Sequence, residues 1–119
     1  MHQMYAGTHA MMKGTTLLHT VENCAATCEQ MITHLLHMTD VHMRKTQIQH
    51  LRDCATICAT FVCYLSRQSV FSKATANLCA YICEVCGQEC ARFPDAESQS
   101  CSRICLHCAQ ECRTFAAAR

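Results

Sequence analysis

Tryptophan is absent from this sequence, and proline and glycine are scarce: the 119 residues include one proline and three glycines. A sheet protein built from many tight turns needs proline and glycine, whereas long helices avoid both. The scarcity therefore predicts an all-α fold. At this length we expect one core and a single domain at 15–119. Residues 1–14, rich in histidine and methionine, are expected to form a tail ahead of it.

Other absences exclude classes of partner. The ten basic residues are scattered and the formal net charge is +1, so the chain lacks the basic stripe of a nucleic-acid-binding protein. No apolar run approaches the roughly 20 residues that span a bilayer, so no membrane partner is expected. The first residues also lack the basic region and apolar segment of a secretory signal. We therefore predict a cytoplasmic protein, the alternative being an exported one whose leader is absent from this sequence.

Cysteine is abundant, with thirteen copies, and its spacing is helical. The stretches LCAYICEVCGQEC (78–90) and CSRICLHCAQEC (101–112) both place cysteines at steps of four, three and four. At about 100° per residue, these steps keep the four sulfurs on one narrow face of a helix. The same period runs along residues 17–38 and 51–65. We therefore predict an antiparallel four-helix bundle with a cysteine-lined core, its helices at about 15–38, 41–66, 72–92 and 95–117.

The predicted connections between the helices are short. Asp40 is the expected cap of the second helix, and Ser69 or Ser72 that of the third. Pro94 and Asp95 are expected to open the fourth helix.

Twelve of the cysteines fall on the inward stripes, whereas Cys63 lies about 140° around the helix from Cys58 and is expected outside the core or at an interface. Cysteines four apart on a helix have Cβ atoms about 5 to 6 Å apart, so such a pair can hold a metal ion between its sulfurs. Soft thiolates at low coordination number favour Cu(I). Each Cu(I) that replaces a thiol proton also leaves the charge of the core unchanged, whereas zinc bound by four thiolates leaves about −2 per site.

The residues alone leave alternatives open. A zinc or soft-metal buffer or detoxification protein would use the same thiols, and a structural bundle would use them without metal. Disulfides are disfavoured because the number of cysteines is odd and pairs within one helix have poor geometry. An iron–sulfur protein is disfavoured because its cysteines follow a C-x2-C-x2-C-x3-C-P pattern in a loop. The sequence contains no pairing of a nucleophile with a base, so nothing in it indicates an enzyme.

The two cysteine stretches and DCATIC (53–58) resemble motifs of the bacterial copper storage proteins, and the similarity is close over residues 51–117. Members of that family are four-helix bundles that fill a cysteine-lined core with multiple Cu(I) ions. The resemblance implies a homotetramer, with copper ions and a copper donor or acceptor protein as partners. It also implies that Cu(I) binds to Cys24, Cys28, Cys54, Cys58, Cys79, Cys83, Cys86, Cys90, Cys101, Cys105, Cys108 and Cys112.

In exported members of that family, methionine and histidine at one end of the bundle accompany copper exchange. The stretch HLLHMTDVHM (34–43) resembles that region. Met38 and Met43 match best, and Met31 and His34 lie nearby. The resemblance therefore implies reversible Cu(I) storage with exchange through this Met/His-lined end.

Overall fold

The structure, a computed structural model, describes the backbone of residues 2–119 and the side chains of residues 16–119. Its four helices are α1 at His2–Leu36, α2 at Lys45–Ser66, α3 at Ser72–Ala91 and α4 at Ala96–Ala117. A short 3₁₀ helix, Val41–Met43, connects α1 to α2. No strand occurs within residues 2–119, and the predicted all-α class is confirmed.

The four helices form an antiparallel bundle in which α1 and α3 each pack against α2 and α4. The ends of α1 and α3 and the beginnings of α2 and α4 therefore meet at one end, which we call the Met/His end. The opposite end of the bundle is the Phe end. None of the helices, over the residues described, is both long and apolar enough to cross a membrane.

At the Phe end the core is aromatic and aliphatic. The ring centroids of Phe61 and Phe115 lie 5.9 Å apart with the planes tilted by 57°. Leu17 and Val21 of α1 are buried in the same core. These side chains close the Phe end with an apolar layer.

The predicted starts of the first two helices are wrong. α1 begins at His2 instead of near residue 15, because no proline interrupts the segment before it. The side chains of the predicted tail lie outside the described part of the chain, and its separation from the domain stays a prediction. α2 begins at Lys45 instead of near residue 41, because a 3₁₀ helix precedes it.

Of the predicted caps, one is confirmed. The Asp95 carboxylate accepts a hydrogen bond from the Ser98 backbone N–H at 3.0 Å and caps α4. Asp40 makes no side-chain cap, because its carboxylate is engaged by a neighbouring guanidinium. Neither Ser69 nor Ser72 caps α3, since its N-cap position is occupied by Phe71, which makes no side-chain cap.

Candidate metal centre

The sulfur atoms of twelve cysteines lie inside the bundle. The side chains of these residues are at most 1% exposed, and all thirteen cysteines are free thiols. Steps of three and four residues place them on the inward faces of the helices, where a protonated thiol packs as a small hydrophobe. Cys63 is exposed, as predicted. We call the buried set the sulfur column: Cys24, Cys28, Cys54, Cys58, Cys79, Cys83, Cys86, Cys90, Cys101, Cys105, Cys108 and Cys112.

The closest sulfur pairs of the column join different helices. The Sγ atoms of Cys54 and Cys83 lie 3.5 Å apart, and those of Cys28 and Cys105 lie 3.7 Å apart. Pairs four apart on one helix are at similar distances, such as 3.8 Å between Cys79 and Cys83. Three sulfurs bound to one metal ion at about 2.3 Å would lie about 4.0 Å from one another. The observed spacings therefore need only small side-chain movements to hold an ion between several thiolates.

The sulfurs of the column fall into groups that share members. Two groups of four and one of three have all their Sγ atoms within 4.8 Å of one another. They are Cys24, Cys58, Cys83 and Cys108; Cys24, Cys28, Cys54 and Cys105; and Cys79, Cys108 and Cys112. Because Cys24 and Cys108 each belong to two groups, the groups form one continuous set. Such a set suits several ions that share ligands better than it suits isolated sites.

Contacts between thiols shift their pKa values in opposite directions. The pKa of Cys105 is raised above its ordinary value of 9.0, first through its contact with Cys101, and burial acts in the same direction. The pKa of Cys86 is lowered, first because of its contact with Cys105, which donates an S–H hydrogen bond to it at 3.9 Å. A thiol with a raised pKa must lose its proton when a metal ion binds. Metal binding to the column is therefore coupled to proton release.

The predicted methionine and histidine residues lie at one end of the bundle but in different environments. Met31 is 5% exposed and belongs to the core, and the half-buried Met38 packs against that core. The side chain of His34 is 42% exposed, and Met43 is 67% exposed. Met31 therefore adjoins the sulfur column, whereas His34 and Met43 reach solvent.

A groove of about 400 Å³ opens between α1 and α4 at the Met/His end. Its lining includes Met31 and His34 from α1, and Glu97 and Cys101 from α4. His34 Nε2 lies 3.9 Å from Glu97 Oε2, and the donor atoms of His34, Glu97 and Asp95 lie within 4.8 Å of one another. The groove therefore brings two of the predicted site residues together beside a cysteine of the sulfur column.

Sequence reasoning missed a buried polar cluster at the same end. Arg44, 3% exposed, donates hydrogen bonds to Gln47 Oε1 at 3.0 Å and to Ser98 Oγ at 3.2 Å. Its Nε and Nη2 atoms pair with Asp40 and Asp95, both at 3.0 Å. The spacing of four residues between Asp40 and Arg44 is a signal of an ion pair in a helical turn. The contacts with Asp95 and Ser98 join distant parts of the chain and leave no local signal.

The charges of Arg44 and Asp95 in this cluster are stabilised by their partners. Burial would raise the pKa of Asp95, but hydrogen bonds from Ser98 and Arg44 lower it below its ordinary value. Burial would likewise lower the pKa of Arg44, but hydrogen bonds with Asp40 and Asp95 raise it. The cluster is therefore charged at neutral pH.

Comparison with known proteins identifies the family of this bundle. The family model described as copper storage protein (Csp) matches residues 10–117. The chain belongs to the copper storage protein family. The predicted resemblance is thereby confirmed.

Solved copper storage proteins share the fold of this chain. The Cu(I)-bound copper storage protein BsCsp3 is 33% identical, with a TM-score of 0.85 over 88% of this chain and 99% of that one. Apo-Csp3 from Bacillus subtilis is 34% identical, with a TM-score of 0.81 over 87% and 98% of the two chains. A cytosolic copper storage protein from Streptomyces lividans, with five coppers, is 26% identical, with a TM-score of 0.85 over 90% and 94%. The predicted four-helix bundle is confirmed.

A curated relative is also similar to this copper storage protein. The cysteine-rich protein YhjQ of Bacillus subtilis (strain 168), described as uncharacterized, is 37% identical over 70 residues. The match covers 59% of this chain and 65% of YhjQ, so it spans just under two thirds of that relative's length.

Proposed function

We propose that this protein is a reversible, high-capacity store of Cu(I), bound by the thiolates of the sulfur column. The observation that carries the proposal is the continuous set of buried free thiols, with neighbouring sulfurs 3.5 to 4.0 Å apart. Soft thiolates in such a set suit several Cu(I) ions. Related proteins support this assignment, since BsCsp3 binds Cu(I) and the Streptomyces lividans protein has been loaded with 10 copper equivalents.

Zinc is the rival cargo, because a group of four thiols can also bind zinc in a tetrahedral site. Each such site would carry a charge of about −2 in the core. Arg44 is the one buried lysine or arginine among residues 16–119, and it is already paired with Asp40 and Asp95. Cu(I) needs no such compensation when one ion replaces one thiol proton. Charge balance therefore favours Cu(I).

We assign copper exchange to the Met/His end of the bundle, with Met31, His34, Met38 and Met43 as transient ligands. Met31 and His34 are three residues apart and share one face of α1. Met38 follows the end of α1 and packs against the core. Thioether and imidazole groups are neutral ligands for Cu(I) and would pass the ion on to thiolates. The apolar layer at the Phe end provides no such ligands among its described residues, Phe61 and Phe115.

We further propose that the protein forms a homotetramer in the cytoplasm and exchanges copper with a donor or acceptor protein. Phe71, Leu78 and Tyr81 lie on one side of α3 and are 62%, 51% and 67% exposed. An exposed apolar patch of this kind favours contact with another protein surface. The Streptomyces lividans relative is cytosolic. That the chain is not an enzyme stays a prediction.

The storage function is tested by an anaerobic titration of the reduced protein with Cu(I) in the presence of a coloured chelator. Free thiols are counted first. We expect about one Cu(I) per core thiol, roughly twelve in all, before the chelator takes up copper. A zinc buffer would bind about one metal per four thiols. Uptake of about three or fewer Cu(I) ions would contradict the proposal.

A further inference from the structure

At the Met/His end, the beginnings of α2 and α4 bury a group of hydrogen-bonded side chains, Arg44, Gln47 and Ser98, which we call the polar plug. Their side chains are 3%, 0% and 0% exposed. Gln47 Nε2 donates to Ser98 Oγ at 3.0 Å and to Cys90 Sγ at 3.5 Å. The polar plug therefore contacts the sulfur column directly, and Gln47 covers Cys90 on this side.

Several contacts hold the polar plug in place. Arg44 pairs with Asp40 and Asp95 at 3.0 Å, and its Cζ lies 4.1 Å from the centre of the Phe93 ring. Charge-assisted hydrogen bonds in a buried setting are strong, and breaking one partner away leaves an uncompensated charge. Passage through the polar plug is therefore unfavourable.

The groove between α1 and α4 offers a second approach to the column. Its volume of about 400 Å³ is far larger than the roughly 30 Å³ of one water molecule, so a hydrated or ligand-bound ion fits. His34 and Glu97 stand on opposite sides of the groove, with Nε2 and Oε2 3.9 Å apart. Met31 and Cys101 line the same groove. Met31 precedes His34 by three residues, and Cys101 follows Glu97 by four. Met31 and Cys101 therefore lie about one helical turn deeper in the bundle than His34 and Glu97.

The series of paired ligands continues into the sulfur column without interruption. Three residues before Met31 is Cys28, and four residues after Cys101 is Cys105. The Sγ atoms of Cys28 and Cys105 lie 3.7 Å apart. The ligands thus change from imidazole and carboxylate at the surface, through thioether and thiol, to paired thiols in the core. Cu(I) binds soft sulfur more tightly than oxygen or nitrogen, so this order favours inward movement.

We propose that Cu(I) enters and leaves the sulfur column sideways, through the groove between α1 and α4, by way of His34, Met31 and Cys101. This inference rests on the proposed storage function. The incoming ion exchanges its carrier ligand for His34 and then Met31. At Cys101 a sulfur–copper bond forms as the S–H bond breaks, and the proton leaves to solvent. Copper stays in the +1 state throughout, and release follows the same steps in reverse.

The test is the rate of Cu(I) transfer from a bicinchoninate complex to the reduced full chain, followed anaerobically by loss of the complex's colour. His34→Gln and the double change Met31→Leu with His34→Gln are compared with the unchanged protein. We expect transfer to slow by about tenfold in the double variant, with final capacity unchanged. His34 is exposed, so the single variant keeps the fold even if the buried Met31 position does not tolerate change.

His37→Gln is the matched control. His37 is also exposed and lies three residues after His34. Its Nδ1 forms a hydrogen bond with the Thr33 backbone carbonyl at 2.8 Å. We expect its transfer rate to equal that of the unchanged protein. Arg44→Lys keeps the charge but loses the forked hydrogen bonds of the polar plug. Its transfer rate is also expected to stay unchanged, because the ion does not pass there.

Each outcome decides the route. If copper transfer slows only in the variants of His34 and Met31, the result supports entry through the groove. Faster transfer in Arg44→Lys, or equal rates in all variants, would overturn it while leaving storage intact. Failure of the unchanged protein to take up more than a few Cu(I) ions would instead remove the storage function itself.

Discussion

Cys105 links three helices through its sulfur. Its Sγ lies 3.7 Å from that of Cys28 on α1, and 3.9 Å from those of Cys24 on α1 and Cys86 on α3. One side chain therefore borders several positions at which an ion could be shared. Cys63 has none of this environment, because it is exposed on the outside of α2.

We predict that Cys105→Ser lowers Cu(I) capacity by more than one ion, because a hydroxyl is a poor ligand for Cu(I) and neighbouring thiolates lose their shared partner. Cys63→Ser is the matched control and should leave capacity unchanged. Both are measured by anaerobic titration against a chelator. Equal losses in the two variants would contradict the central position of Cys105.

α2 ends in a turn that reverses the direction of the chain. The N–H of Gln68 donates to the Leu65 carbonyl at 3.1 Å, and the N–H of Ser69 donates to the Tyr64 carbonyl at 2.9 Å. These two bonds form a Schellman motif. Gln68 takes a φ of 53°, in the left-handed region that favours glycine. The turn that directs α3 back along α2 is thus made by a residue poorly suited to it.

We predict that Gln68→Gly raises the free energy of unfolding by about 0.5 to 1 kcal/mol, because glycine adopts the left-handed conformation without the Cβ clash. Gln68→Ala retains the Cβ atom and should give no such gain. Urea unfolding of the reduced, metal-free protein measures both. A glycine variant less stable than the unchanged protein would show that the Gln68 side chain contributes more than its conformation costs.

For the whole molecule, copper loading and proton balance are linked. The pKa values of Cys58 and Cys83 are raised, in both residues first through contact with Cys108. A raised pKa means that these thiols keep their protons at neutral pH in the metal-free protein. Copper that binds to these two thiols must therefore displace their protons.

We predict that the apparent affinity for Cu(I) falls as the pH falls from about 8 to 6, by about tenfold per pH unit for each proton displaced. The sign follows from competition, since a lower pH favours the protonated thiol. Competition titrations at three pH values, corrected for protonation of the chelator, measure the slope. An affinity independent of pH would mean that the thiols are already ionised before copper binds.

Much of the fold was predictable because its signals are local. Cysteines at steps of three and four residues define an inward helical face, and the same angular argument put Cys63 outside. Asp95 after Pro94 marked the start of α4 because a cap acts within one turn. Local signals failed at the start of α1, where no residue stops the helix, and at Asp40, where a side-chain ion pair replaced the predicted cap.

The sequence by itself determined that the chain is an all-α bundle with its thiols inside, because helical periodicity depends on residues a few positions apart. Only the tertiary structure decided which sulfurs meet across helices, such as Cys28 with Cys105. It also decided that Arg44 and Ser98 are buried together at the Met/His end and that His34 faces Glu97 across a groove. These contacts join residues far apart in the chain, so they depend on how the helices pack, which no local pattern encodes.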